Sequence, residues 1–168
     1  MILKCSRLGH PVLRERSDDA AADDIRQGHF EDLVEDMFET MVAYRGVGLA
    51  GPQVHLPLRV FVFDSKERDD GRGTCPRRGV VFNGVYEPVD DAKVVEWEGC
   101  LSVPFLGGQV PRFDKVRLRG LDREGNPIDW LAEGFIARIF QHEVDHTDGH
   151  VYLDRMPDLT TLGYTLVL

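Results

Sequence analysis

The sequence has few cysteines and no excess of positive charge. Its 168 residues include three cysteines, Cys5, Cys75 and Cys100, which are odd in number and form no Cys-x-x-Cys pair. A disulfide-stabilised scaffold is therefore not expected, and a reducing compartment is favoured. The formal net charge of −9 argues against general binding of nucleic acid or of anionic membranes.

The sequence also lacks long apolar runs and any sign of a boundary between domains. No apolar run reaches the roughly 20 residues that span a bilayer, and the first residues carry no signal-peptide pattern. We therefore expect a cytoplasmic protein. Hydrophobic residues make up 42% of the chain, enough for a sizeable core, and no repeat or linker divides it. The sequence predicts a single domain over residues 1–168.

One short segment, QHEVDH at residues 141–146, has side chains that can bind and use a metal ion. Residues four apart lie on the same face of a helix, so His142 and His146 present two imidazoles to one point. Glu143 lies beside this point without having to ligate, and it can take a proton from a metal-activated water. The alternative is a coincidental pair of histidines on a solvated helix.

A catalytic site of this type usually has three protein ligands and one open position. The chain follows the pattern His-Glu-x-x-His-x-x-Gly-x-x-His only as far as Gly149, because Tyr152 stands where the third histidine belongs. No glutamate follows Glu143. The best upstream candidate is Cys100, in the segment EGCLS at residues 98–102, because a thiolate is a strong ligand for a borderline or soft metal. A buried, inert cysteine is the alternative.

A third informative segment, GVGLAGPQ at residues 46–53, contains three glycines and ends in Pro-Gln. This composition disfavours a helix or a central strand and suits close approach of the backbone to a ligand. Gln53 offers an amide donor and an acceptor. A phosphate-binding loop is not indicated, because no Lys-Ser/Thr follows. An ordinary tight turn remains open.

Periodicity predicts the main elements. Apolar residues from Phe30 to Val42 recur three and four apart, which predicts a core helix over residues 30–44, with Asp23 and Asp24 as its start signals. Strands are predicted at 58–64, 80–86 and 115–122, a mobile surface loop at 65–79, and a last helix at about 133–146. The predicted fold class is α+β, with antiparallel strands packed around a central C-terminal metal-binding helix.

Together the three segments resemble the signature motifs of the peptide deformylases, which are Gly-x-Gly-Leu-Ala-Ala-x-Gln, Glu-Gly-Cys-Leu-Ser and Gln-His-Glu-x-Asp-His. Their order and spacing are similar here, and the resemblance extends over nearly the whole chain through residues 10–13, 110–112 and 121–125. Two positions depart from the pattern. Gly51 stands where alanine is usual, and Thr147 stands where leucine is common. Neither is a residue that the chemistry needs.

The resemblance implies a metal-dependent hydrolase that removes the N-formyl group from the formylmethionine of nascent polypeptides and releases formate. It implies one divalent ion, Fe²⁺ in cells with Zn²⁺ or another ion as alternatives, held by Cys100, His142 and His146. Glu143 would move the proton, and the side-chain amide of Gln53 and the backbone N–H of Leu101 would stabilise the formyl oxygen. The implied partners are formylmethionyl nascent peptides with transient ribosome contact, and neither nucleic acid nor membrane.

The resemblance also implies a substrate site. The methionine side chain would enter an apolar pocket near Val47, Phe135 and Ile139, although these residues could equally be plain core. The peptide would add as a strand between Val47–Gly48 and Gly107–Gln109.

Three further expectations concern charged residues around this site. Arg138 would line the pocket mouth or be solvated. Glu98 and Arg112 are expected to form a supporting ion pair, and Asp145 is expected to pair with an arginine.

Two rival classes remain open at this point. One is an HExxH-type metallopeptidase, which predicts a metal ligand other than Cys100. The other is a non-catalytic metal-binding module, which predicts a closed site with a fourth protein ligand.

Overall fold

Apolar periodicity and short turns divide the chain into strands and helices. The computed structural model describes residues 1–66 and 73–165. Within these residues the helices are α1 (Ala22–Arg26), α2 (Glu31–Ala43) and α3 (Phe135–Thr147). The strands are β1 (Gly48–Ala50), β2 (Val60–Asp64), β3 (Arg78–Pro88), β4 (Lys93–Cys100), β5 (Val103–Phe113), β6 (Lys115–Leu121), β7 (Pro127–Glu133) and β8 (Gly163–Tyr164). Short 3₁₀ turns lie at Pro11–Leu13, Gly51–Val54 and Tyr152–Arg155.

The strands form two antiparallel sheets. A five-stranded sheet has the order β1-β2-β3-β6-β7, and a three-stranded sheet has the order β4-β5-β8. Helix α3 contacts strands of both sheets, so it is central. The predicted α+β class, with antiparallel strands around a C-terminal helix, is therefore confirmed. None of the helices in the described residues has the length and hydrophobicity of a transmembrane span.

Helix α2 agrees with the predicted helix at residues 30–44, and its apolar side packs into the core between Val34 and Met41. Two details were wrong. Asp23 and Asp24 belong to the separate helix α1, because Gly28 in a left-handed conformation (φ 75°) interrupts the chain before α2 begins. Val42, at the end of the predicted apolar stripe, is 57% exposed.

The predicted strands are present with shifted ends. In β6 Val116 and Leu118 are buried while Arg117 and Arg119 are exposed, as strict alternation predicts. Strand β3 begins at Arg78, so the predicted loop at 65–79 ends earlier than expected, and part of it lies outside the described residues. The glycine-rich segment contains the short edge strand β1, because the backbone of residues 48–50 pairs with β2.

Helix α3 is buried along nearly its whole length. Its apolar residues pack against the five-stranded sheet, where Phe140 meets Phe63 edge-to-face at 4.9 Å between ring centroids and also contacts Phe61 and Trp130. The polar residues of α3 point toward the three-stranded sheet and need partners there, since burial of an unpaired polar group is costly. The packing of α3 therefore determines where its histidines lie.

We expect Phe140→Ala to destabilise the fold by about 3–5 kcal/mol, because it removes a fully buried ring and leaves a cavity between α3 and the sheet. Urea unfolding followed by circular dichroism measures this change. Leu159→Ala is the control, since Leu159 is 61% exposed and its truncation should change stability by less than about 0.5 kcal/mol. Equal effects of the two substitutions would contradict this packing.

Candidate metal centre

Three candidate ligand atoms meet between α3 and the end of β4. They belong to Cys100, His142 and His146, and we refer to these three residues as the cluster. The Nε2 atoms of His142 and His146 are 3.2 Å apart, and Cys100 Sγ lies 3.3 Å from His146 Nε2. All three ligand atoms lie within 4.8 Å of one another. The two histidines are one helical turn apart, and the strand supplies the sulfur.

The position of Cys100 follows from an irregularity in the β4–β5 hairpin. The register shifts between Gly99 and Cys100, where β4 ends and the chain turns into β5. Gln53 fixes this turn from the other side, because its Nε2 donates to Ser102 Oγ at 3.3 Å and to Cys100 Sγ at 3.4 Å. The side-chain oxygen Oε1 of Gln53 accepts a hydrogen bond from Ala50 N at 2.9 Å, so the side-chain amide has one orientation.

Glu98 orients His142. Its Oε1 lies 2.8 Å from His142 Nδ1, and a carboxylate can only accept there, so His142 Nδ1 carries the proton and Nε2 is left as a lone-pair donor toward the cluster. Arg112 holds the same carboxylate with two bonds of 2.9 and 3.0 Å, and Arg138 adds a third of 2.6 Å. The expected Glu98–Arg112 pair is confirmed. Burial would raise the pKa of Glu98, but its hydrogen bonds with His142 and Arg112 outweigh burial and lower it.

Asp145 extends this network to the other side of Arg112. Its carboxylate accepts from Arg112 at 2.5 Å and from Arg155 at 2.8 and 2.9 Å, so the expected arginine partner is confirmed. Burial would raise the pKa of Asp145, but these two guanidinium groups hold it below its usual range. The carboxylates of Glu98 on β4 and Asp145 on α3 are therefore ionised and paired with arginines.

The two imidazoles differ in their preference for a proton. Burial opposes a charge on His142, but hydrogen bonds with Cys100 and Glu98 outweigh it and raise the pKa of His142 well above its usual value. Burial and the neighbouring His142 lower the pKa of His146 far below its usual value. Two charged imidazoles 3.2 Å apart would repel each other, so at most one of the two rings carries a positive charge.

Glu143 lies beside the cluster with an unusual environment for a carboxylate. Burial raises its pKa to about 7. Its Oε2 is buried and has no hydrogen-bond partner among the described residues. A Cβ atom on Gly48 would overlap Oε1 of Glu143, so glycine at position 48 leaves room for this carboxylate. A carboxyl group poised near neutral pH can both accept and return a proton.

The donor set fits a transition-metal ion. One thiolate and two imidazoles suit iron or zinc, and one imidazole already has its outer nitrogen fixed by a carboxylate. Only these three candidate ligands form such a group in the part of the chain that the structure describes. Cys100, His142 and Glu143 line a cavity of about 680 Å³. The fourth coordination position of an ion held by the three ligands would therefore be open to a small molecule. A closed structural site would lack this opening.

The same cavity contains the residues that we expected around the substrate. Val47, Gly48, Phe135 and Ile139 all lie in its lining. Leu101 lies there too, next to the cluster. Whether these residues bind a substrate stays a prediction.

One expectation near the cavity was confirmed and one was wrong. Of the two alternatives for Arg138, the structure shows the first, because Arg138 lines the cavity. It is buried rather than solvated, since its guanidinium bonds Glu98 and the carbonyls of Val94 and Val110. Its spacing of four residues before His142 on the same helix was the signal for this role. The Gly107–Gln109 segment cannot take an added peptide strand at Gly107, because that residue already pairs with Gly99 on one side and Gly163 on the other.

The free strand edges lie elsewhere. Among residues 1–66 and 73–165, β1 pairs only with β2 and β4 pairs only with β5, so each ends its sheet. Gly48 of β1 and residues 98–100 of β4 line the same cavity. An extended peptide therefore has two unpaired edges available to it inside this cavity.

Comparison with known proteins identifies relatives of this chain. A family model described as "Polypeptide deformylase" matches residues 2–161. Peptide deformylase 2 of Ralstonia nicotianae is 48% identical over 138 residues, which cover 81% of this chain and 77% of the relative. Peptide deformylase 2 of Pseudomonas syringae pv. tomato is 36% identical over 170 residues, covering 100% of this chain and 94% of the relative.

Solved structures agree with this comparison. A class I type b peptide deformylase from Acinetobacter baumannii with Met-Ala-Ser bound has a TM-score of 0.83 at 30% identity, covering 92% of this chain and 99% of the other. Peptide deformylase from Thermotoga maritima has a TM-score of 0.82 at 32% identity, covering 94% of this chain and 99% of the other.

We expect Cys100→Ser to lower the affinity for Zn²⁺ or Fe²⁺ by more than about 100-fold, because it removes a thiolate from the ligand set. Anaerobic purification followed by metal analysis and chelator competition measures this change. Cys75→Ser is the matched control and should keep the wild-type metal content, because Cys75 lies outside the three-ligand group. Full metal retention in Cys100→Ser would show that the ion is held elsewhere.

Proposed function

The chain belongs to the polypeptide deformylase family and removes the N-formyl group from nascent peptides, and we propose that Glu143, Gln53 and Leu101 carry out this hydrolysis beside an ion held by Cys100, His142 and His146. The observation that supports this proposal most is the buried carboxylate of Glu143. It has an unpaired oxygen next to the cluster and opens onto the cavity. Because the relatives are peptide deformylases, the metallopeptidase and the non-catalytic module are not favoured.

We propose Fe²⁺ as the ion in cells, with Zn²⁺ or another divalent ion able to occupy the same ligands. When bound, the ion would supply Lewis acidity toward water and toward the formyl oxygen. One sulfur and two imidazole nitrogens support either metal. With iron, the thiolate ligand would make the site sensitive to oxidation.

In our proposal Glu143 moves the proton. Its carboxylate takes a proton from water while the oxygen of that water bonds to the formyl carbon. The carbon–nitrogen bond then breaks, and Glu143 returns the proton to the leaving amine nitrogen. The products are formate and a free amino terminus. A pKa of about 7 suits both transfers, because the group can gain and lose the proton near neutral pH.

The formyl oxygen gains negative charge during the attack, so donors must already point at it. We propose the side-chain amide of Gln53 and the backbone N–H of Leu101 for this role. The bond from Ala50 N to Gln53 Oε1 keeps Nε2 turned toward the cluster. Arg7 supports Leu101, because its guanidinium donates to the Leu101 carbonyl at 2.5 Å.

The methionine side chain is proposed to enter the apolar part of the cavity, against Val47, Phe135 and Ile139. The peptide backbone would run between Gly48 on β1 and the Glu98–Cys100 end of β4, the two free strand edges of the cavity. The Acinetobacter baumannii structure with bound Met-Ala-Ser supports a methionyl peptide as the occupant.

Several broader features also belong to this proposal. We propose that residues 1–168 form one catalytic domain that works in the cytoplasm on formylmethionyl nascent peptides, with transient ribosome contact and with neither nucleic acid nor membrane as a ligand. The match of the family model to residues 2–161 supports a single domain. The odd number of cysteines, with no Cys-x-x-Cys pair, supports a reducing compartment.

We expect Glu143→Ala to lower kcat/KM for formate release from a formyl-Met peptide by at least about 10²-fold, because it removes the proposed proton carrier. The assay is run anaerobically with metal content measured in the same samples. Glu124→Ala is the control, since Glu124 lies in an exposed turn outside the cavity. Metal-loaded wild type that releases no formate would reject the proposed chemistry.

Gly48→Ala tests the placement of Glu143 separately. The added methyl group overlaps the Glu143 carboxylate, so kcat/KM should fall by about 10²-fold or more while the metal stays bound. Gly163→Ala is the matched control, because a Cβ there meets nothing within 4 Å and Gly163 lies outside the cavity lining. Wild-type activity in Gly48→Ala would mean that Glu143 lies elsewhere during turnover.

A further inference from the structure

Arginines in this acidic protein are mostly neutralised by carboxylates. Arg117 pairs with Asp129, Arg123 pairs with Glu31 and Glu35, and the buried Arg112 pairs with two carboxylates. Arg7 and Arg45 are different, because neither forms an ion pair within residues 1–66 and 73–165, although the chain has 29 acidic residues. Both are exposed, and both line the substrate cavity.

The two arginines come from different parts of the chain. The Arg7 guanidinium donates to the Leu101 carbonyl at 2.5 Å. Arg45 directly precedes Gly46, and a Cβ on Gly46 would be 3.2 Å from Leu101 Cδ1, so the backbone at residues 45–46 passes close to Leu101. Arg45 has a left-handed backbone (φ 59°) because it follows the C-cap of α2, where the chain leaves the helix.

No carboxylate of the described cavity lining is free to neutralise these cations. The lining contains two acidic side chains, Glu98 and Glu143. Glu98 is engaged by Arg112, Arg138 and His142, and Glu143 is buried beside the candidate ligands. The mouth of the cavity is therefore positively charged on a protein whose net charge is −9.

We propose that Arg45, with Arg7, gives the enzyme a preference for formylmethionyl peptides that carry an aspartate or glutamate side chain shortly after the methionine. This inference depends on the proposed function, because the peptide must lie along the cavity edges. Side chains of an extended peptide alternate between two faces, so an acidic residue at either position two or position three, and not both, faces the arginines. The attraction is electrostatic and weakens with added salt.

The test compares kcat/KM for four C-terminally amidated peptides: formyl-Met-Glu-Ala, formyl-Met-Gln-Ala, formyl-Met-Ala-Glu and formyl-Met-Ala-Gln. We expect the glutamate peptide to exceed its glutamine partner by about 3- to 10-fold at one of the two positions. The ratio should approach one in 0.5 M salt. Glutamine is a matched comparison because it has the shape of glutamate without the charge.

Variants assign the effect to the cavity mouth. Arg45→Gln should lower the Glu/Gln ratio toward one, because only Arg7 is left, and Arg45→Glu should favour a lysine peptide instead. Arg117→Gln, which makes the same change in net charge away from the cavity, should keep the wild-type ratio. Arg7 is not varied, because its bond to the Leu101 carbonyl supports a proposed catalytic group. Thermal unfolding checks that each variant is folded.

Two results would overturn this inference. One is a Glu/Gln ratio near one at both positions in the wild type, and the other is a ratio that Arg45→Gln leaves unchanged. A preference that appears only when the peptides have a free C-terminal carboxylate would also overturn it, since the arginines would then bind the chain end. Titration of the amides Met-Glu-Ala, Met-Gln-Ala, Met-Ala-Glu and Met-Ala-Gln measures the preference through Kd at both positions. This arm separates a failure of the specificity from a failure of deformylation itself.

Discussion

The buried ion-pair network Asp145–Arg112–Glu98–His142 is the interaction on which the site depends. Helix α3 brings polar side chains into the interior, and each would be costly there without a partner. Arg112 joins the carboxylates of β4 and α3, and Glu98 then holds His142 by its outer nitrogen. The same contacts therefore offset the cost of burying the polar side chains of α3 and orient the imidazole of His142 toward the cluster.

The fold brings the candidate metal ligands and the substrate cavity together where the two sheets and α3 meet. The five-stranded sheet ends at β1, the three-stranded sheet ends at β4, and α3 lies against both. Gly48, at the β1 edge, leaves room for the Glu143 carboxylate, while the register shift after Gly99 turns Cys100 toward the histidines. A peptide held along these edges would have its formyl end at the cluster and its later residues near Arg45.

Much of this could be predicted from the sequence. Helical spacing placed His142 and His146 on one face, and the shortage of downstream ligands pointed to Cys100. Other features depend on long-range contacts that spacing does not encode. The burial of Arg138 requires knowing that β4 and β5 pass over α3, and the double pairing of Gly107 requires knowing where β8 returns. The pairing of β1 was missed because a glycine-rich segment has little strand propensity of its own.

The central claim is that Cys100, His142 and His146 bind one divalent ion beside Glu143. X-ray absorption at the metal edge of the anaerobically purified protein tests it most directly. We predict one sulfur at about 2.3 Å and two imidazole nitrogens at about 2.0–2.1 Å for zinc, with the rest of the shell made of lighter atoms. A shell without sulfur in fully loaded protein would contradict it.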